Sequence, residues 1–163
     1  DSGDADIGGI TAAFQMNIIR RHVADARAKG ATQHTGGDVL AASEHIFQPT
    51  VLTNLHENML LMQEETFGPV LPIAIFDTLD QVIALANDSA FGLTSSVYTT
   101  NLNEAFYVIR RLQFGETYLN RENFEAMQGF HAGWKQSGIG GADGKHGLEE
   151  YLQTQVVYLE TDI

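Results

Sequence analysis

Between residues 11 and 29, apolar positions recur at steps of three and four. Met16, Ile19, Val23 and Ala26 fall on one stripe, the period of a helix with a single buried face. Gly30 ends the pattern, as a residue free to adopt positive φ does at a helix C-terminus. A short strand is expected around Ala31–Thr35, followed by a turn at Gly36-Gly37. The β-branched stretch Ile46–Leu55 is expected to be extended, with Pro49 suited to an edge or a bend. The unbroken apolar run Val70–Phe76 predicts a strand buried on both faces. Thr78-x-x-Gln81 is a capping box, and it opens a helix with Leu79, Val82, Ile83 and Ala86 on one side. Leu93–Thr99 reads as a strand. Asn101-x-x-Glu104 caps the next helix, whose apolar face is expected at Leu102, Ala105, Phe106 and Ile109, and Gly115–Leu119 is the next strand. This succession predicts the α/β class, a parallel βαβαβ sheet covered by helices with right-handed crossovers.

Residues 120–147 break the periodicity. They hold seven glycines and are too long for an ordinary connection in a compact domain. Phe124, Phe130 and Trp134 argue for an ordered, functional loop rather than disorder. A short helix near Gly147–Leu152 and a final strand, Gln155–Leu159, complete the pattern. The first ten residues read as a solvated loop. The spacing of Asp4, Asp6 and Gly8 there lacks the later ligands and closing Glu of a calcium loop. Neither an internal repeat nor a linker between domains is visible.

Composition narrows the function. Of 163 residues, 44% are hydrophobic, which is enough for a core. Nine basic residues face 21 acidic ones for a net charge of −12, and residues 51–100 contain no Lys or Arg. A polyanion needs clustered cations to displace its counterions, so nucleic acid and anionic membrane surfaces are poor partners. No apolar run is long enough to span a bilayer, and the acidic, Gly-rich start carries no targeting pattern. The chain has no cysteine, which excludes disulfides, thiolate metal sites and a cysteine nucleophile within it.

Candidate chemistry is sparse on spacing alone. Gly138-x-Gly140-x-x-x-Gly144 loosely follows a dinucleotide fingerprint, but no strand leads directly into it, so a structural glycine loop is favoured. The six histidines form no pair with zinc-site spacing, no metal site is indicated, and most are expected at the surface. His131 lies in the long loop, six residues after Glu125. An imidazole and a carboxylate there suit recognition of a hydroxyl or a carboxylate, although spacing alone favours a local hydrogen bond that fixes the loop. The adjacent carboxylates Glu64 and Glu65 precede a strand, at the end opposite to where parallel sheets bind ligands, and read as a solvated turn.

Four ordered stretches change that picture. Glu64-Glu65-Thr66-Phe67-Gly68-Pro69-Val70 resembles the E-E-x-F-G-P-V signature of the NAD(P)-dependent aldehyde dehydrogenase superfamily. Leu85-Ala86-Asn87 with Phe91-Gly92-Leu93, Phe114-Gly115-Glu116 with Asn120, and Gly133-x-Lys135-x-Ser137-Gly138-x-Gly140 resemble further motifs of that family, in the family's order. The likeness runs from the first helix to the last strand. From Asn120 to Gln153 the chain is most similar to the lactaldehyde/glycolaldehyde dehydrogenase subgroup, which carries N-R-E-N-F-E-A-M-Q-G-F-H-A-G-W.

The resemblance implies that residues 1–152 are the C-terminal part of an aldehyde dehydrogenase catalytic domain and that 153–163 are an oligomerisation strand and tail. The family's nucleophilic Cys, its general-base Glu and most of its cofactor domain would lie in a missing N-terminal part of the same enzyme, so no catalytic residue is expected here. By family position, Glu65 corresponds to the carboxylate that binds the nicotinamide ribose, Phe67 to the aromatic beside it, and Gln15 to a contact with the adenosine ribose. Three residues after Gln15 the family often carries a cation, where this chain has Ile18. A charged pair common in the family is replaced here by Gly141-Ala142 and Gln153. Phe124, Glu125 and His131 fall where the family lines its substrate tunnel, and a polar pair there suits a small aldehyde bearing a hydroxyl. The implied cofactor is NAD, with NADP not excluded. The implied partners are a small aldehyde substrate and further copies of the full-length chain, and the expected compartment is the cytoplasm. The competing expectation is a non-catalytic remnant that serves as a structural or subunit-interaction module.

Overall fold

Helix α1 (Ala13–Ala28) forms where the stripe predicts it and buries Met16, Ile19, Val23 and Ala26. Its chain reverses at Gly30, whose φ is +94°. A computed structural model describes residues 6–41 and 43–161. Asp4, and with it the acidic spacing near the N-terminus, lies outside the described residues. The chain gathers into two compact units, Asp1–Ile75 and Phe76–Ile163.

In the first unit, β1 (Thr32–Thr35) and β2 (Thr50–Thr53) pair antiparallel, and β2 pairs in parallel with β3 (Val70–Pro72), giving the order β1-β2-β3. Thr50 and Leu52 of β2 are buried while Val51 and Thr53 are partly exposed, as the two-residue period of a strand requires. The inward side meets α1. Met16, Ile19 and Val23 pack with Phe47, and Ala26 packs with Leu52, Met59 and Leu61. Each large side chain buried in this way contributes about 1.5–3 kcal/mol. A one-turn helix, α2 (Leu60–Gln63), has no counterpart in the apolar pattern. Its Leu60 amide is capped by Asp25 of α1 at 2.8 Å.

In the second unit, α3 (Leu79–Asn87) begins as the capping box predicts, with Thr78 Oγ1 accepting from the Gln81 amide at 3.2 Å. After β4 (Phe91–Gly92), strand β5 (Thr94–Val97) passes through α4 (Leu102–Ile109) to β6 (Glu116–Leu119), and β5 and β6 pair in parallel from Thr94↔Glu116 to Val97↔Leu119. Asn101 Oδ1 caps α4 through the amides of Asn103 and Glu104. Ile83, Val108 and Leu112 form the core between α3, α4 and the strands. The chain closes with β7 (His131–Ala132), β8 (Trp134–Lys135), β9 (Gly141–Ala142) and α5 (Gly144–Glu149).

The α/β class holds, with parallel pairs joined and covered by helices, and several details of the expected sheet differ. The strand at Val70 pairs with β2 and not with β5. It is three residues long and forms an edge, so Leu71 is exposed rather than buried on both faces. The buried face of α4 is Ala105 and Val108, while Leu102 and Phe106 are exposed. The helix had two apolar sides, and the one facing α3 won. The last helix starts three residues early, at Gly144, and Gln155–Leu159 joins no ladder and stays exposed. That segment finds no neighbouring strand among the described residues, so its β-propensity has nothing to pair with.

Candidate functional site

The acidic loop that follows α2 lies across one face of α1, at positions 15, 19 and 22, which share a side of a helix. Gln15 Nε2 donates to the carbonyl oxygens of Thr66 at 2.5 Å and Phe67 at 3.2 Å. Gly68 sits directly on Ile19, where a Cβ would come within 2.5 Å of the Ile19 Cδ1. His22 is fully buried, with Nδ1 3.0 Å from Thr66 Oγ1 and Nε2 3.1 Å from Glu64 Oε2. Arg21 adds an ion pair to the same Glu64 oxygen at 2.6 Å. Held in this way, Phe67 adopts φ +44° and is 70% exposed as a residue. Glu65 stands exposed between two tethered neighbours, and among the described residues its carboxylate takes part in no ion pair.

The structure therefore brings Gln15 and Phe67 together and sets Glu65 beside them. An unengaged carboxylate and an open aromatic face on one loop fit a ribose diol and a flat ring. Gln15 fits a ribose less well, because its amide donors are engaged by the loop backbone. The family position drew attention to Gln15, Glu65 and Phe67. His22 escaped notice and is the exception to the surface expectation for histidines. The one sequence signal for it was its place next to Val23 at the edge of the apolar stripe.

In the second unit, His131 sits on β7, held by backbone pairing with Ala142 of β9. Its Nδ1 lies 2.9 Å from Glu116 Oε2, and the Tyr118 hydroxyl donates to that same oxygen at 3.0 Å. The Glu116 hydrogen bond, opposed by partial burial and aided by the charges of Glu116, Glu125 and Asp143, raises the His131 pKa above its ordinary value. Burial and then the Glu116 hydrogen bond push the Tyr118 hydroxyl upward as well. The hydrogen-bond partner of His131 is thus Glu116 on β6. Glu125, singled out by spacing, is exposed and acts on the imidazole through charge alone. Phe124 is exposed, and its carbonyl is held by Arg121 Nη2 at 2.7 Å. A carboxylate on Nδ1 keeps a proton there, so a neutral His131 presents Nε2 as an acceptor. No described residue hydrogen-bonds Nε2.

Several motif residues serve the backbone instead. Asn120 clasps Thr99 through both its amide and its oxygen, each at 2.9 Å. Asn87 makes the same kind of clasp on the Arg111 carbonyl and the Gln113 amide. Lys135 Nζ donates to the carbonyls of Asn87 and Ser89, and Ser137 Oγ accepts from the Gly92 amide. A cavity of about 530 Å³ lies among Phe76, Leu79, Ile83, Val97, Val108 and Phe114, and it includes none of the six candidate residues. Among the described residues no cluster suits a metal ion, and no helix is long and apolar enough to cross a membrane.

The profile of the aldehyde dehydrogenase family matches residues 1–157. The chain belongs to the aldehyde dehydrogenase family. A lactaldehyde dehydrogenase of Escherichia coli strain K12 is 55% identical over 161 residues, covering 99% of this chain and 34% of the relative. The crystal structure of the E. coli lactaldehyde dehydrogenase superposes with a TM-score of 0.93, again over 99% of this chain and 34% of that one. A 3,6-anhydro-alpha-L-galactose dehydrogenase of Streptomyces coelicolor is 43% identical over 94% of this chain and 32% of its own length. An indole-3-acetaldehyde dehydrogenase of P. syringae, solved with NAD+, is 32% identical with a TM-score of 0.84 over 90% of this chain and 30% of that one. This aldehyde dehydrogenase chain thus spans about a third of the length of the relatives it matches.

Proposed function

We propose that the chain is the C-terminal part of a cytoplasmic, oligomeric enzyme that oxidises a small hydroxyaldehyde, such as lactaldehyde or glycolaldehyde, to its carboxylic acid with NAD(P)+. The observation that carries this reading is the 55% identity to a lactaldehyde dehydrogenase over almost the whole chain. Residues 1–152 would complete the catalytic domain, and 153–163 would pair between subunits. Bound NAD(P)+ would supply the hydride acceptor. Glu65 would accept hydrogen bonds from the nicotinamide ribose, Phe67 would cover that ribose and ring, and Gln15 would contact the adenosine side. His131 would accept the substrate hydroxyl at Nε2, with Phe124 as an apolar wall and Glu125 as a second acceptor. Such a site leaves polar groups unpaired when the substrate lacks the hydroxyl, and sites of that kind reject such analogues strongly.

Two measurements test the reading. The coding sequence upstream of Asp1 is expected to hold a cysteine-bearing catalytic segment. The full-length protein is expected to form NADH or NADPH from lactaldehyde with kcat/KM at least about ten-fold above that for propionaldehyde, while the 163-residue chain, without any thiol, turns over neither. Turnover by the short chain, or equal rates on the two aldehydes, would overturn it.

A further inference from the structure

His22 belongs to none of the roles assigned so far, yet its imidazole is fully buried in a loop-facing seat. Both ring nitrogens are engaged, one by Glu64 and one by Thr66, the two residues that flank Glu65. Gln15 fixes the next carbonyls, those of Thr66 and Phe67, and Arg21 shares Glu64 with His22. The side chains of both residues that flank Glu65, and the backbone that follows it, are therefore tied to α1, while the Glu65 side chain is left projecting. We propose that His22 is a positioning residue that aims Glu65 and Phe67 at the nicotinamide ribose, an inference that rests on the function proposed above. A group that orients the cofactor governs hydride transfer more than aldehyde capture, because small misplacements act on the reacting geometry.

The proposal separates from a purely structural role by kinetics on the full-length enzyme. His22→Leu keeps apolar volume and removes both contacts. Thr66→Val removes the Nδ1 partner alone and keeps shape, so it carries the test if the leucine variant does not fold. His22→Asn retains a polar group near the Nδ1 position and is the rescue. Measured per folded enzyme, the single-turnover rate of NADH formation is expected to fall about ten-fold in His22→Leu. It should fall less in Thr66→Val and in His22→Asn, with the aldehyde KM within about two-fold of wild type throughout. A deuterium label on the aldehyde carbon should slow the leucine variant in proportion to its hydride step. Lowered thermal stability with an unchanged single-turnover rate in the folding variants would overturn the proposal and leave the proposed function standing. Full-length wild-type protein that oxidises no aldehyde would overturn both.

Discussion

Residues 64–69 rest on side chains, those of Gln15, Ile19 and His22 on one helix face. Residues 120–147 are gripped mainly through backbone, by the short β4·β8 and β7·β9 ladders and by glycines lodged against carbonyls. At Gly115 a Cβ would collide with the Ala132 carbonyl oxygen, and at Gly141 with the His131 carbonyl oxygen. In the first loop, the identities of residues on a neighbouring helix decide the shape. In the second, the absence of side chains decides it. Backbone carbonyls account in this way for Gly133, Gly141, Gly144 and Gly147 without a phosphate-binding role, whereas Gly140 faces the Glu150 side chain and Gly138 has no neighbour closer than 3.9 Å.

The contrast is breakable. Gly115→Ala should be the most damaging substitution, because a backbone oxygen cannot swing aside. A loss of more than about 3 kcal/mol is expected, read by urea unfolding and by faster hydrogen exchange at His131. A smaller effect would show that the long loop yields as readily as a side-chain seat. Gly68→Ala meets only the end of Ile19, so about 1–2 kcal/mol is expected. Ile19→Val removes the closest methyl, and the double variant should cost less than the sum of the two singles. Strict additivity would mean that Gly68 and Ile19 do not press on each other.

The smallest effects are those of pH, and they should have opposite signs in the two units. His131 titrates above its ordinary 6.5. Its pair with Glu116 therefore stabilises fully below about 6.5 and fades as pH rises through the raised folded value. Asp25, held below its ordinary 3.8 by Lys29 and by the Leu60 amide, stabilises above that value, and its contribution is lost as pH falls through the lowered folded one. Imidazole proton NMR should place the His131 midpoint above 6.5 and show it falling in Glu116→Gln. Asp25→Asn should remove acid sensitivity from the exchange of the Leu60 amide. A His131 midpoint that ignores Glu116 would contradict the pairing.

Local signals in the sequence survived where one element decided the outcome. The α1 stripe, the Thr78 and Asn101 caps and the Gly30 stop depend on residues a few positions apart, and all appear as expected. Partner choice depended on distant residues and was less legible. Nothing near Val70 says that β2 will be its neighbour, and nothing near Leu102 says which of two apolar sides will meet α3. The candidate residues show the same division. Family position marked Glu65, Phe67 and His131, but His22, which holds the two neighbours of Glu65, and Glu116, which holds His131, lie 43 and 15 residues away from Glu65 and His131 respectively. Spacing therefore offered Glu125 as the imidazole's partner, although β6 delivers Glu116.

Phe67 also bears on how portable the acidic loop is. Its φ of +44° is one a phenylalanine adopts rarely and only under constraint, and the constraint comes from α1. A peptide of residues 64–70, or the same heptad grafted between the ends of another protein's strand and helix, would relax out of this shape. To carry the arrangement into a new scaffold, a designer would have to transplant the helix face bearing Gln15, Ile19 and His22 together with the loop.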